Sequence, residues 1–211
     1  MIKYVIFDMD GVLCDLVQIH RFALNDALTK ICGYSINEYE FWKYYNGIPS
    51  EVKLQMLINR GLLEPSDKKK VWNLKQEYTF SQIKQVLKPE QDKIDLHKYL
   101  KSKGLKLACV SNSIYKTIEL ALSVTEQIEY MDIILSNEDF KDKPKPHPFC
   151  YLLAMERMNY NKNETLIVED SEKGIMAAYK SGANVLEVKD TTEVNIKTIS
   201  NAIDKINIGV I

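Results

Sequence analysis

A basic surplus, arginine, paired cysteines and long apolar runs are what this 211-residue sequence lacks. Lysine plus arginine total 28 against 29 for aspartate plus glutamate, so there is no positive excess of the kind that sequence-independent nucleic-acid binding relies on. Nucleic acid is therefore not an expected partner. Arginine stands only at Arg21, Arg60 and Arg157, which leaves few planar, two-pronged grips for anions. The four cysteines, Cys14, Cys32, Cys109 and Cys150, lie far apart without a Cys-x-x-Cys pair. That spacing argues against a zinc cluster or a disulfide framework and for reduced, mostly buried thiols. No stretch approaches the roughly 20 apolar residues that a membrane-spanning helix needs. The opening run is broken by Asp8 before it reaches the length of a signal peptide's apolar segment. A cytoplasmic protein with no membrane partner is expected.

An apolar fraction of 45% is ordinary for a soluble chain, and the length accommodates one sizeable core with a smaller appended domain. The β-branched and aromatic run from Ile2 to Phe7 stops at Asp8-Met9-Asp10-Gly11 and reads as a buried strand entering a tight turn. Two carboxylates one residue apart raise each other's pKa unless a cation or a lysine offsets them. Between residues 14 and 89 the patterns are helical. Leu16, Ile19, Ala23, Ala27 and Ile31 recur at helical spacing up to Gly33, and further helices are expected over Asn37–Tyr45, from Pro49 to Gly61, and from Ser66 to Leu87. Tyr39, Phe41, Trp42, Tyr44 and Tyr45 suit the core of such a bundle better than a sugar platform. After Pro89, strands are expected at Leu105–Val110, Ile133–Leu135, Thr165–Val168 and Val185–Val188, with helices through Ile94, Tyr99 and Leu100 to Gly104, over Tyr115–Val124, through Ile175 and Tyr179 to Gly182, and through Val194, Ile199 and Ile206. The result is an α/β protein: a Rossmann-like parallel sheet with helices on both faces, built from residues 1–13 and 90–211, plus an inserted α-helical cap domain at 14–89.

Ligands of an open parallel sheet bind at the carboxyl ends of its strands. Asp8/Asp10, Ser111/Asn112 and Glu169/Asp170 each follow an apolar strand run directly, so the three clusters are expected along one edge, with the inserted domain placed to act as a lid. Lys141-Asp142-Lys143-Pro144-Lys145-Pro146 follows the third strand and adds cationic charge on a proline-stiffened loop. Carboxylates, a hydroxyl and a lysine together suit Mg²⁺ and a phosphate: Mg²⁺ takes oxygen ligands and commonly joins one or two carboxylates to substrate phosphate. With its charge offset, one aspartate can attack phosphorus while the other moves protons. The residues alone leave Lys143 and Lys145 equally eligible as the countercharge. Ser113 is expected to cap the following helix, Asp170 and Ser171 to share capping with ligation, and His97 to lie on the surface.

Phe7-Asp8-Met9-Asp10-Gly11, Val110-Ser111-Asn112, Lys143-Pro144-Lys145-Pro146 and Val168-Glu169-Asp170-Ser171-Glu172-Lys173-Gly174-Ile175 resemble, in order, the four motifs of the haloacid dehalogenase superfamily. The insertion resembles the helical cap of its subfamily I, which includes small-molecule phosphatases and β-phosphoglucomutase. The resemblance implies Asp8 as nucleophile, Asp10 as general acid and base, Ser111 at the phosphoryl group and Lys143 as the countercharge; Asn112 is an expected substrate contact. It also implies Mg²⁺ held by Asp8, the backbone carbonyl of Asp10 and Asp170, with Glu169 in or near the layer just behind these ligands. His20 and Lys53 of the insertion are the expected substrate contacts. Ser50 and Glu51 occupy places where relatives often carry an arginine for a distal anion, and His147 stands where the third motif often has an acid.

The expected function is a Mg²⁺-dependent phosphatase that hydrolyses a small phosphorylated metabolite, such as a sugar phosphate, through an aspartyl-phosphate. A phosphohexomutase of the β-phosphoglucomutase type and a non-catalytic phosphate-binding scaffold are the rivals. The expected assembly is a monomer or a weak homodimer.

Overall fold

Tyr4–Phe7 forms strand β1, and all four residues are fully buried in the structure, a computed structural model that describes residues 1–210. Strands β2 (Lys106–Val110), β3 (Ile133–Leu135), β4 (Thr165–Glu169) and β5 (Asn184–Glu187) join it in a parallel sheet of order β3-β2-β1-β4-β5. The second half of β1 pairs Phe7 with Cys109 on one side and Val168 on the other. That register brings the residues following β1, β2 and β4 to one level. The ladders run one residue past the strands, with the Asp8 N–H on the Val168 carbonyl at 3.0 Å and the Ser111 N–H on the Leu135 carbonyl at 3.1 Å.

This sheet and its helices form one unit, Met1–Asp15 together with the chain from Lys88 onward, and Leu16–Leu87 forms a second. The second unit consists of α1 (Val17–Cys32), the short α2 (Glu38–Glu40) passing into a π turn at Phe41–Tyr45, α3 (Ser50–Asn59) and α4 (Lys68–Val86). Leu24, Leu28, Leu54, Leu57 and Val71 fill its interior. The aromatic cluster divides: Phe41 and Tyr45 are in that core, whereas Tyr39, Trp42 and Tyr44 are exposed.

In the first unit the crossovers carry α5 (Gln91–Ser102), α6 (Tyr115–Val124), α7 (Phe149–Met158) and α8 (Glu172–Ser181), and α9 (Ile196–Asn207) follows the last strand. Parallel neighbours require such crossovers, because a tight hairpin joins only antiparallel strands. Helix α7 is absent from the sequence expectation. Phe149 to Ala154 is an unbroken apolar run after two prolines and shows no helical period. Its period appears only in the packing, where Cys150, Tyr151 and Ala154 are buried with Ile6 and Ile167 while Leu152 is exposed.

His97 is not a surface residue. It is fully buried on α5, its ring edge-on to Phe7 at 5.7 Å and stacked on Tyr130 at 5.7 Å. Its Nε2 lies 2.9 Å from Gln127 Oε1, and the Gln127 amide donates to the Leu13 carbonyl at 3.1 Å, inside the turn that follows β1.

Candidate active site

Asp8 leaves the buried end of β1, where solvent cannot screen it. Its Oδ1 accepts from the Lys145 ammonium at 2.5 Å, and the same ammonium donates to Glu169 Oε1 at 2.6 Å and to the Val110 carbonyl at 3.0 Å. A lysine has three donors, and these three contacts use all of them. Lys145 is 3% exposed. Burial alone would lower its pKa, but Asp8 and Glu169 outweigh that and hold it well above the ordinary lysine range. Asp8 is pushed well above the carboxylate range by burial, against the pull of Lys145 and with help from Glu169, Asp170 and Asp10. Asp170 is pushed up to about 7 by burial and then by Glu169 and Asp10. Lys145 thus bonds two of the four carboxylates gathered here, Asp8 and Glu169, and the acids left in surplus are a group that could hold a cation.

The lysine is where the sequence expectation needs correcting. Lys143 is exposed, with its ammonium 5.1 Å from the centre of the Phe149 ring, and Lys145 is the lysine on Asp8. The Lys-Pro-x-Pro pattern occurs twice in overlapping registers, Lys143-Pro144-Lys145-Pro146 and Lys145-Pro146-His147-Pro148. Only the second puts its lysine at the strand ends. In that register His147 is a spacer; its Nδ1 accepts from the Phe149 N–H at 3.1 Å, at the start of α7.

Glu169 is fully buried, and protein donors occupy both its oxygens. Oε1 takes Lys145 and the Tyr151 hydroxyl at 2.7 Å, while Oε2 takes the Asp170 N–H at 3.0 Å, the Ser171 N–H at 3.1 Å and the Ser171 hydroxyl at 3.2 Å. It tethers Lys145 to the first turn of α8. Close packing there depends on Gly174, where a Cβ would fall 1.8 Å from Glu169 Oε1. Ser171 is the N-cap of α8, accepting from the Gly174 N–H at 3.2 Å. Asp170 takes no part in that capping.

One oxygen each of Asp8, Glu169 and Asp170 lies within 4.8 Å of the others. Among the three, Asp170 carries a buried orphan: its Oδ1 accepts no hydrogen bond among the described residues. Gly11 admits the turn after Asp10 to this place, with a left-handed φ of 86° and a position at which a Cβ would sit 2.0 Å from Asp170 Oδ2. A buried, orphaned carboxylate oxygen beside other acids fits a hard, oxygen-seeking cation.

Ser111 is buried after β2, and its Oγ accepts from the Ser113 N–H at 3.1 Å. The Asn112 side-chain oxygen accepts from the Lys145 N–H at 3.2 Å, so Asn112 braces the loop that delivers the lysine. His20 and Lys53 belong to the helical unit. There His20 Nδ1 lies 3.2 Å from the Lys75 ammonium, and the buried Lys53 ammonium lies 5.2 Å from the centre of the Phe41 ring. Two contributors escaped sequence reasoning. Tyr151 lies in α7, whose sequence shows no helical period, and Ser113 stands where a serine usually caps a helix.

Comparison with known proteins bears on the family and the fold. The sequence pattern of the haloacid dehalogenase-like hydrolases matches residues 5–188. A phosphorylated carbohydrates phosphatase of Thermotoga maritima is 30% identical over 183 residues, covering 84% of this chain and 81% of that one. A haloacid dehalogenase-like hydrolase domain-containing protein of Arabidopsis thaliana is 27% identical over 210 residues. That match takes in 86% of this chain and 66% of the plant protein, just under two thirds of its length. Among solved structures, a β-phosphoglucomutase from Clostridium difficile shares the fold with a TM-score of 0.81 at 23% identity, over 99% of this chain and 100% of its own.

Proposed function

Because the chain belongs to the haloacid dehalogenase-like hydrolases, we propose that it is a Mg²⁺-dependent phosphatase acting on a small phosphorylated metabolite, such as a sugar phosphate. One observation carries this reading: a buried ammonium on Asp8 stands beside the orphaned oxygen of Asp170 at the carboxyl ends of β1 and β4. Asp8 and Asp170 would hold Mg²⁺ together with the backbone carbonyl of Asp10, and Glu169 would support them from behind through Lys145. When bound, the ion supplies charge neutralisation that lets an anionic phosphoryl group approach the acids.

In this proposal Asp8 attacks phosphorus, and the electron pair of the breaking P–O bond goes to the leaving oxygen, which takes a proton from Asp10. Water then attacks the aspartyl-phosphate, Asp10 takes back a proton, and Asp8 returns as a carboxylate. Lys145 occupies the role first expected of Lys143. Its fixed ammonium offsets charge on the attacking carboxylate without having to reorganise. Ser111, directly after β2, would offer its hydroxyl to a phosphoryl oxygen.

The mutase alternative needs a grip on a second phosphate. All three arginines instead pair with acids of the chain: Arg21 with Glu38 at 3.1 Å, Arg60 with Glu40 at 2.7 Å and Arg157 with Asp139 at 2.9 Å. That pairing favours hydrolysis. The test is phosphate release from a panel of phosphomonoesters, with Mg²⁺ and with EDTA. Hydrolysis should need Mg²⁺, and Asp8→Asn should lower it by about 10⁴-fold or more without altering the fold by circular dichroism. Near-normal turnover by that variant would sink the mechanism, and isomerised product without free phosphate would establish the mutase.

A further inference from the structure

Ser113 follows β2 by three residues and precedes α6 by two, a place where serine usually caps a helix. It does not cap this one. The N-cap position is Ile114, which makes no side-chain bond, and the Tyr115 N–H is served by Glu138 Oε2 at 3.2 Å. The Ser113 hydroxyl is directed to Asp10, donating to its Oδ2 at 3.3 Å from a position 103 residues away in sequence. Its backbone is fixed on both sides, because the Ser113 N–H donates to Ser111 Oγ at 3.1 Å and the Ser113 carbonyl accepts from the Asn137 N–H at 3.0 Å. Asn137 in turn donates from its side chain to the Asn112 carbonyl at 2.9 Å. The hydroxyl therefore reaches Asp10 from a clamped loop.

We propose that Ser113 is a positioning residue for Asp10, holding one carboxyl oxygen so that the other faces the leaving oxygen. The inference rests on the phosphatase reading above. A carboxylic acid delivers its proton through one oxygen, and rotation about its terminal bond exchanges the two. A donor held on Oδ2 selects Oδ1 as the oxygen that carries the proton, and it does so in both halves of the cycle. In the first half the proton leaves Oδ1 for the departing alkoxide as the P–O bond breaks. In the second, Oδ1 receives a proton from the attacking water, and the starting state is restored. Serine is thereby tied to the step in which leaving-group protonation matters.

That tie gives a test that a purely structural role does not meet. Ser113→Ala should cut kcat on an alkyl phosphate roughly 10–100-fold, part of the contribution of general acid–base catalysis, with KM within about twofold of wild type. On p-nitrophenyl phosphate, whose leaving group is a weak base and needs little protonation, the same variant should lose about threefold or less. Ser113→Cys, similar in size but a weaker donor, should show an intermediate loss selective for the alkyl ester. Equal losses on the two esters, or a raised KM at unchanged kcat, would overturn the proposal. A wild type that hydrolyses neither ester with Mg²⁺ would instead remove the phosphatase reading beneath it.

Discussion

Without the Lys145 ammonium, Asp8 and Glu169 would face each other in a dry site with only mutual repulsion between them. Removing one partner of a buried charge cluster typically costs about 3–5 kcal/mol. Lys145→Met should therefore lower the urea midpoint substantially and abolish phosphate release, whereas Lys143→Met should leave both near wild type. Equal behaviour of the two variants would contradict the assignment. The acids were legible in the sequence because each follows an apolar strand run, and burial of that run fixes where its end must lie. The lysine was not, because it sits on a loop where no period operates and where Lys-Pro-x-Pro can be read in two registers. Three-dimensional reach, 2.5 Å to Asp8 from one lysine and an aromatic contact at the surface for the other, separates them.

Elements act here through how closely they approach. Helix α8 sets its first turn against the Glu169 side chain, and Gly174 is the residue that permits this. The closeness is needed because the N-terminal turn supplies the Ser171 N–H and hydroxyl that hold Oε2. Gly174→Ala would drive a methyl group into Glu169, which has no room to withdraw between Tyr151, Lys145 and that turn. A cost of roughly 2 kcal/mol or more is expected, read as a lower melting temperature, with a parallel fall in kcat because Lys145 loses its tether. An unchanged kcat would show that the tether does not matter to the chemistry. Strands were the most legible elements, since their apolar runs stand out from polar surroundings. Helix α7 was the least, since apolar residues such as the exposed Leu152 also stand on its outer side, which erases the contrast that marks an amphipathic helix.

Across the whole molecule the division into a sheet unit and a helical unit follows from where strand-like and helix-like periods occur in the chain. One contribution to stability against acid comes from His97, which periodicity could not place. Its pKa is lowered to about 4, first by burial and then by the nearby Lys93 charge, against the favourable bond to Gln127. Its Nδ1 is buried without a hydrogen-bond partner, so a proton added there has no acceptor to meet. The ordinary value is 6.5, so between pH 6.5 and 4 the unfolded chain binds a proton that the folded chain refuses. Folding stability is thus unpenalised above pH 6.5 and falls as the pH drops towards 4. From these two values the loss between pH 7 and pH 5 is about 2 kcal/mol. Urea denaturation of wild type and His97→Gln, compared at pH 7, 6 and 5, isolates this effect, because carboxylates common to both proteins cancel in the difference. The stability gap between them should shift by about 2 kcal/mol in favour of the glutamine variant as the pH falls. A gap that stays constant with pH would mean that the folded protein accepts the proton, and that the pocket between Phe7 and Tyr130 is less dry than its packing implies.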